Sequence, residues 1–213
     1  MSELQTIYLK YKSDFDARLD AFRTIWKDGT DEDIFAELCY CLCTAREKAK
    51  NAASAICALR ESKKLLFGTE AQIDAILLAS GIALHPQKAK RIIESRAVFY
   101  PNTKQRLNDV YLCLPDIREA RKALVQAVNG FGYKEASHFL RNIGFGSTLA
   151  ILDRHIAYQL VMLKVLSEMP KSWTPKKYCE AEAALLNFAA QEQIPPDALD
   201  MVLMYKENPE VLK

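Results

Sequence analysis

Apolar residues recur every three to four positions along most of this chain, which is the spacing that one face of an α-helix requires. Capping residues and prolines mark where several of these helices begin. The predicted helices are 2–27, one that Thr30 caps, 46–59, one from Thr69 to Ala79, one that Pro86 opens, 115–128, one from about Lys134, 154–166 after Asp153, 175–188, and one after Pro195 that ends near Lys206. No strand–turn–strand pattern interrupts the series, so the sequence predicts an all-α fold.

Composition supports the same fold class. Half of the 213 residues are hydrophobic and 26% are charged, as in an ordinary globular protein, and only seven are glycine. No apolar run is long enough to span a membrane, and the first residues lack the apolar centre of a signal peptide. We therefore expect no membrane partner and a cytoplasmic location.

The formal net charge of +2 is unevenly divided along the chain. Acidic residues are in excess in 1–37 and basic residues in 84–142. The basic residues of that second stretch include Arg91, Arg96, Lys104, Arg106, Arg121, Lys122 and Arg141. They form either a surface for phosphate backbones or a set of solvated helix faces, and charge alone leaves both readings open.

Six cysteines offer no metal-binding spacing. Cys39, Cys41 and Cys43 alternate along one predicted helix, where residues two apart point in nearly opposite directions and cannot converge on one ion. The others are isolated, and no Cys-x-x-Cys occurs. We expect six reduced cysteines, mostly buried as small hydrophobic residues, and neither a disulfide framework nor a metal site.

The most informative stretch is Val128–Leu140, where two predicted helices meet at Gly130-Phe131-Gly132. Glycines let the backbone turn tightly, and exposed N–H groups at such a turn attract phosphate oxygens. Phe131 is expected to anchor the turn in the core. A glycine turn between helices is by itself also consistent with an ordinary connection.

Two further residues help to decide between a phosphate-binding turn and an ordinary connection between helices. Lys134 follows the hairpin, and Asp153 follows a glycine-containing loop and an apolar tetrapeptide. Taken singly, Lys134 is a solvated charge in a first helical turn and Asp153 is only an N-cap. Their occurrence together after these two loops favours a DNA-binding hairpin over an ordinary connection.

Segment 124–156 resembles the signature of the helix-hairpin-helix DNA glycosylase superfamily, with Gly130, Gly132, Lys134 and Asp153 at its diagnostic positions. The strings FAELCYCLCTA, HPQKAKRIIESR, GYKEASHFLRNIG, AILDRHI and LDMVLMYKENPEVLK are similar to the archaeal and bacterial type 2 8-oxoguanine DNA glycosylase/lyases. The resemblance implies two closely packed helical subdomains with the hairpin motif between them. It implies one glycosylase domain over 1–213, with the hairpin and catalytic region at about 115–156.

The activity that this resemblance implies is excision of 8-oxoguanine from duplex DNA, followed by strand cleavage. Lys134 would attack the sugar as a neutral amine, whose ammonium form both burial and the helix N-terminus disfavour, and Asp153 would remain ionised and stabilise the positive sugar. No metal and no organic cofactor is expected, and the partner is double-stranded DNA with a damaged base, bound by a monomer. The alternatives are a glycosylase for another damaged or mismatched base and a non-catalytic helix-hairpin-helix DNA-binding module.

Two residues near the carboxy terminus are implied in base recognition. Met204 stands where this family usually has a tryptophan that stacks on the flipped base, which leaves lesion preference open. Lys213 occupies the place of a terminal lysine that helps to distinguish 8-oxoguanine from guanine. We expect packing or phosphate contact for His138 and a structural role for His155, whereas the role of His85 is open. We place Trp26 and Trp173 in the core.

Overall fold

A computed structural model describes residues 1–207 of the chain, and this part is helical with no strand. The helices are α1 Glu3–Lys10, α2 Lys12–Asp28, α3 Asp31–Thr44, α4 Ala49–Glu61, α5 Lys64–Phe67, α6 Glu70–Ala79, α7 His85–Phe99, α8 Thr103–Leu107, α9 Ile117–Ala127, α10 Tyr133–Asn142, α11 Arg154–Met162, α12 Pro175–Glu192 and α13 Pro196–Glu207, with a π-helical turn at Asn108–Leu112 after α8. The predicted all-α class is therefore confirmed.

Local chemistry explains where several helices begin. Thr69 accepts a hydrogen bond from the backbone N–H of Gln72, whose side chain accepts one from the N–H of Thr69 in return. Thr30 and Asp33 form the same reciprocal box ahead of α3. Pro175 lies in the first turn of α12, where its missing N–H leaves no helical bond unmade. These predicted starts are confirmed.

Other predicted boundaries were wrong. The stretch 2–27 is two helices that meet at Tyr11. The helix predicted from Arg46 begins at Ala49, because Arg46 has a left-handed backbone with φ of 60°. The helix predicted over 154–166 ends at Met162, and Lys164 adopts the same left-handed conformation.

The described residues divide into two compact units, which agrees with the two helical subdomains expected. The first unit, unit 1, combines Met1–Thr24 with residues 140–207, and the second, unit 2, is Ile25–Phe139. In unit 1, α13 packs against α1, α11 and α12. In unit 2, α3 packs against α4, α7 and α8 and is buried on nearly all sides. That the whole chain is one glycosylase domain remains a prediction.

The cysteines are all free thiols, but only half are buried. Cys39, Cys41 and Cys43 lie inside unit 2, and burial raises the pKa of Cys43 to about 12. Buried thiols of this kind stay protonated and act as small apolar residues. Cys57, Cys113 and Cys179 are exposed, so the expectation that the cysteines are mostly buried was wrong for these three.

Two features are absent from the described residues. No helix within 1–207 is long and apolar enough to cross a membrane. Within the same residues, no group of three or more His, Cys, Asp and Glu side chains is arranged to hold a metal ion.

Candidate active site

The predicted hairpin is present in unit 2, where α9 ends at Ala127 and α10 begins at Tyr133. Gly130 has a φ of +95°, a conformation that residues with a Cβ rarely adopt, and the side chain of Arg91 from α7 lies directly against it. A Cβ on Gly130 would fall 2.6 Å from Cδ of Arg91, so a larger residue would strain the backbone and also displace the flexible end of this arginine. Phe131 is buried against Phe139, with ring centroids 6.2 Å apart, which confirms its expected anchoring role.

A buried arginine joins the two helices of the hairpin. Arg121 on α9 is fully buried, donates to Oγ of Ser137 on α10 at 3.2 Å, and places its guanidinium 4.8 Å from the ring centroid of Tyr133. These contacts fix the relative position of α9 and α10. The sequence made Arg121 a candidate for a phosphate-binding surface, whereas it is part of the interior.

Three other residues of the basic stretch are also engaged within the protein. Arg96 donates to the carbonyls of Leu65 and Gly68, and Arg141 is buried. Lys88 is 2% exposed and donates to the carbonyls of Cys43 and Ala45, at the end of α3. The excess of positive charge in 84–142 is therefore partly internal, because a guanidinium or ammonium group buried beside carbonyls does not face a ligand.

Lys134 lies in the first turn of α10, with 21% of its side chain exposed. Its Nζ is 3.9 Å from Oε1 of Glu135, and the other oxygen of that carboxylate accepts from the N–H of Gly132 at 3.1 Å. Gly132 and Lys134 are thus brought together on one hairpin, and Glu135 contacts both.

Asp153 is the N-cap of α11 in unit 1, as predicted, and its Oδ1 accepts from the N–H of Ile156 at 2.8 Å. The apolar segment before it is buried and belongs to no helix or strand. Side chains of α12 satisfy that backbone. The hydroxyl of Tyr178 accepts from the N–H of Leu152 at 3.1 Å and donates to the carbonyl of Ala150 at 2.8 Å, and Glu182 accepts from the N–H of Ala150 at 2.8 Å.

A buried ion pair lies near Asp153. Arg141 Nη1 is 3.3 Å from Oδ2 of Asp200 on α13, and both side chains are buried. Burial is the main reason that the pKa of Asp200 is raised; Arg141 opposes the rise, whereas the negative charges of Asp197 and Asp153 add to it. The negative charge of Asp153 therefore contributes, within unit 1, to the raised pKa of Asp200.

Met204 is half-buried on α13, one turn after Asp200. The helix that Asp153 opens packs against α13, and Gln159 on that helix donates to the carbonyl of Leu203 at 2.8 Å. Asp153 and Met204 are thus carried by neighbouring helices of unit 1. Lys213 lies outside the described residues, and its predicted role stays a prediction.

The three histidines and two tryptophans make local contacts. The ring of His138 packs edge-on against Tyr40, with centroids 5.7 Å apart, and His155 is exposed with Nδ1 3.0 Å from Oε1 of Glu207. His85 contacts the carboxylate of Asp74. Trp26 and Trp173 are half-buried rather than fully in the core.

Sequence reasoning missed the contacts of Glu135, Arg91, Tyr178 and Asp200. Glu135 had a usable signal, because it stands three residues after Gly132, which is the spacing of a capping box. The other three contact residues that are distant in the sequence, and no local pattern marks them.

A helical protein with a glycine hairpin before a lysine, and an aspartate that caps a later helix, belongs to the helix-hairpin-helix class. Comparison with known proteins defines it further. Residues 15–194 match the family model described as 8-oxoguanine DNA glycosylase. A protein of Fusobacterium nucleatum named 8-oxoguanine DNA glycosylase/AP lyase is 38% identical over 212 residues, which cover 100% of this chain and 97% of that protein.

Solved structures agree over the same length. The crystal structure of the 8-oxoguanine DNA glycosylase of Thermotoga maritima has a TM-score of 0.88 at 30% identity, covering 99% of this chain and 97% of that one. The 8-oxoguanine glycosylase/lyase of Methanocaldococcus jannaschii, solved in complex with a 15-mer DNA containing 8-oxoguanine, has a TM-score of 0.87 at 27% identity and covers 100% of both chains. The chain belongs to the 8-oxoguanine DNA glycosylase family.

Proposed function

We propose that this protein excises 8-oxoguanine from double-stranded DNA and then cleaves the strand at the resulting abasic site, with Lys134 as nucleophile and Asp153 as its charged partner. The observation that carries the proposal is similarity over the full chain to relatives named 8-oxoguanine DNA glycosylase/AP lyase. It is therefore a DNA N-glycosylase with an associated lyase activity.

Each residue has a definite part in this chemistry. The neutral amine of Lys134 attacks C1′ of the flipped nucleotide, and the glycosidic bond breaks as the base leaves with its electron pair and takes up a proton. Loss of the amine proton and opening of the sugar give a Schiff base between Nζ and C1′. Removal of a proton from C2′ then expels the 3′ phosphate, which is the lyase step, and water releases the enzyme.

Asp153 is suited to stabilise the positive charge that develops on the sugar. Its carboxylate is held at a helix N-terminus by the N–H of Ile156 at 2.8 Å, so its position is set before substrate arrives. The hairpin amides at Gly130 and Gly132 would bind the DNA backbone, because N–H groups at such a turn attract phosphate oxygens. Met204 and Lys213 would contact the excised base. We further propose that the protein acts as a monomer in the cytoplasm, associated with DNA, without a membrane partner.

Borohydride trapping tests the mechanism directly, since reduction of the Schiff base leaves protein covalently joined to DNA. The wild-type protein is expected to form this adduct on a duplex with 8-oxoguanine and to release the free base. Lys134→Gln is expected to bind the duplex but neither to excise the base nor to form the adduct. Lys176→Gln, which changes an exposed lysine of α12 outside the basic stretch, is the matched control and should behave as wild type.

Two results would overturn the proposal. An active Lys134→Gln protein would exclude Lys134 as nucleophile. A wild-type protein that traps on duplexes with oxidised pyrimidines or mismatches, but not on 8-oxoguanine, would establish a different lesion as substrate.

A further inference from the structure

The carboxylate of Glu135 lies where two proposed functions of the hairpin meet. One oxygen accepts a hydrogen bond from the N–H of Gly132, and the other is 3.9 Å from Nζ of Lys134. Only 16% of this side chain is exposed. A single acidic group therefore contacts a backbone amide suited to phosphate and the amine suited to attack.

We propose that Glu135 holds the phosphate position of the hairpin in the free protein and keeps Lys134 paired until DNA displaces it. The inference rests on the proposed glycosylase function, and it adds a residue that controls how DNA is bound. A carboxylate and a phosphate are both anions that accept hydrogen bonds from backbone N–H groups at a helix start. They cannot accept from the same N–H of Gly132 at full strength, so one replaces the other.

A purely structural role accounts for only part of this arrangement. Glu135 is the third residue of α10 and Gly132 precedes its first, so the bond to the N–H of Gly132 is one half of a capping box. Glutamine fulfils that role as well as glutamate does. A cap does not require the second oxygen to lie beside Lys134.

The surroundings of the hairpin favour replacement of the Glu135 carboxylate by a DNA phosphate. Arg91 lies against Gly130, and no hydrogen bond or ion pair joins its guanidinium to any residue among 1–207. Positive charge is thus present beside the turn, and no acidic side chain among residues 1–207 pairs with it. A phosphate that reached the turn would gain Arg91, whereas Glu135 would lose the amide and leave Lys134 unpaired.

The test compares DNA affinity in Glu135→Gln with that in wild type. The substitution keeps an oxygen that accepts from Gly132 and removes the charge. If Glu135 competes with phosphate, affinity for an undamaged duplex should rise about fivefold at low salt, from the loss of one like-charge repulsion at short range. The gain should shrink at higher salt, because screening weakens that repulsion.

Glu119→Gln is the matched control. Glu119 is an exposed carboxylate of α9 that lies 3.8 Å from the ammonium of Lys122, so the change removes one charge of the same sign from unit 2 without touching the hairpin turn. Its effect on affinity should stay below about twofold, as expected for an exposed, screened charge. An equal gain in both variants would overturn the proposal, since it would show a general effect of net charge.

Excision at saturating DNA separates binding from chemistry. Because Glu135 is displaced in the bound state, single-turnover excision by Glu135→Gln should stay within about twofold of wild type while the DNA concentration for half-maximal rate falls. Unchanged affinity with slower excision would overturn the proposal and place Glu135 in the chemical step.

Binding measurements in a Lys134→Gln background keep the two proposals distinguishable. Adding Glu135→Gln to Lys134→Gln should still tighten binding, since the competition at Gly132 does not require Lys134. No tightening in that background would overturn the role of Glu135 at the hairpin amide. Failure of the wild-type protein to form a borohydride adduct would instead overturn the proposed nucleophile and leave these affinities interpretable.

Discussion

Arg141 and Asp200 form a buried ion pair, with 3.3 Å between Nη1 and Oδ2, in the unit that carries Asp153. The pKa of Asp200 is raised chiefly by burial. The folded protein therefore binds a proton at this site more readily than the unfolded chain does, and stability falls as pH rises from about 4, the ordinary pKa of an aspartate, through the raised value.

Asp200→Asn removes this dependence while keeping a polar oxygen beside the Arg141 guanidinium. The variant is expected to gain stability relative to wild type as pH rises from about 4 to 7. Asp200→Ala should lose about 3 kcal/mol or more, because it leaves the Arg141 charge buried without a partner. Urea unfolding across this pH range measures both. If the unfolding free energy of wild type instead rises relative to that of Asp200→Asn as pH increases, then the ion pair stabilises the charged carboxylate. The pKa of Asp200 would in that case be lowered rather than raised.

Asp153→Asn separates the capping role of this residue from its proposed catalytic role. Asparagine is also a good N-cap, so unfolding free energy should fall by about 1 kcal/mol at most. Excision should fall by orders of magnitude, because a fixed negative charge has been removed from the reacting centre. Asp116→Asn is the control: Asp116 caps α9 by accepting from the N–H of Arg118 at 2.9 Å. Equal rates of excision by the two variants would show that Asp153 acts only as a helix N-cap.

Gly130→Ala should impair the hairpin for two reasons, and Gly81→Ala measures one of them alone. Both glycines have positive φ, +95° and +74°, so each substitution costs about 1–2 kcal/mol from backbone strain. Only the Cβ on Gly130 would clash with Arg91, whereas the nearest atom to that on Gly81 is 3.5 Å away. Gly130→Ala should therefore displace the Arg91 side chain from the turn, and of the two variants it alone should lose affinity for duplex DNA. Equal affinities in a filter-binding assay would place the DNA interface elsewhere.

Removal of Lys213 should lower discrimination between 8-oxoguanine and guanine. 8-Oxoguanine has a donor N7–H where guanine has an acceptor, and a backbone oxygen of Lys213 would accept only from the former. Because that oxygen would have no donor to accept from on guanine, we expect it to favour excision of 8-oxoguanine over guanine by about ten- to hundredfold. The ratio of excision rates on the two bases should fall by about this factor, with little change in cleavage at a preformed abasic site. A truncated protein that keeps its selectivity would show that the lesion is recognised by other residues.

Features that depend on neighbouring residues in the chain could be predicted from the sequence. The caps at Thr30, Thr69 and Asp153 and the proline start of α12 were identified because each depends on a few consecutive residues. The hairpin was identified for the same reason. Left-handed backbone at Arg46 was missed, because an ordinary residue gives no sign that tertiary packing holds it there.

Burial of charge could not be predicted in the same way. Whether an arginine faces solvent depends on a partner that the fold supplies: Ser137 and the ring of Tyr133 for Arg121, and Asp200 for Arg141. The basic residues of 84–142 therefore overstate the surface available to phosphate. The contact between Glu135 and Lys134 was likewise invisible, because adjacent residues on a helix do not normally face each other.

The buried segment before Asp153 depends on α12 for its hydrogen bonds. Buried backbone outside helices commonly pairs with a strand, through main-chain hydrogen bonds that do not require particular side chains. In this protein a phenol and a carboxylate from two successive turns of a helix take the place of that strand. The path of the chain into Asp153 is consequently encoded about 25 to 30 residues downstream, at Tyr178 and Glu182. A mutation on α12, a helix that carries no proposed catalytic residue, can thereby misplace Asp153. Substitutions at Tyr178 and Glu182 should therefore occur together with changes in the segment before Asp153 rather than with changes elsewhere on α12.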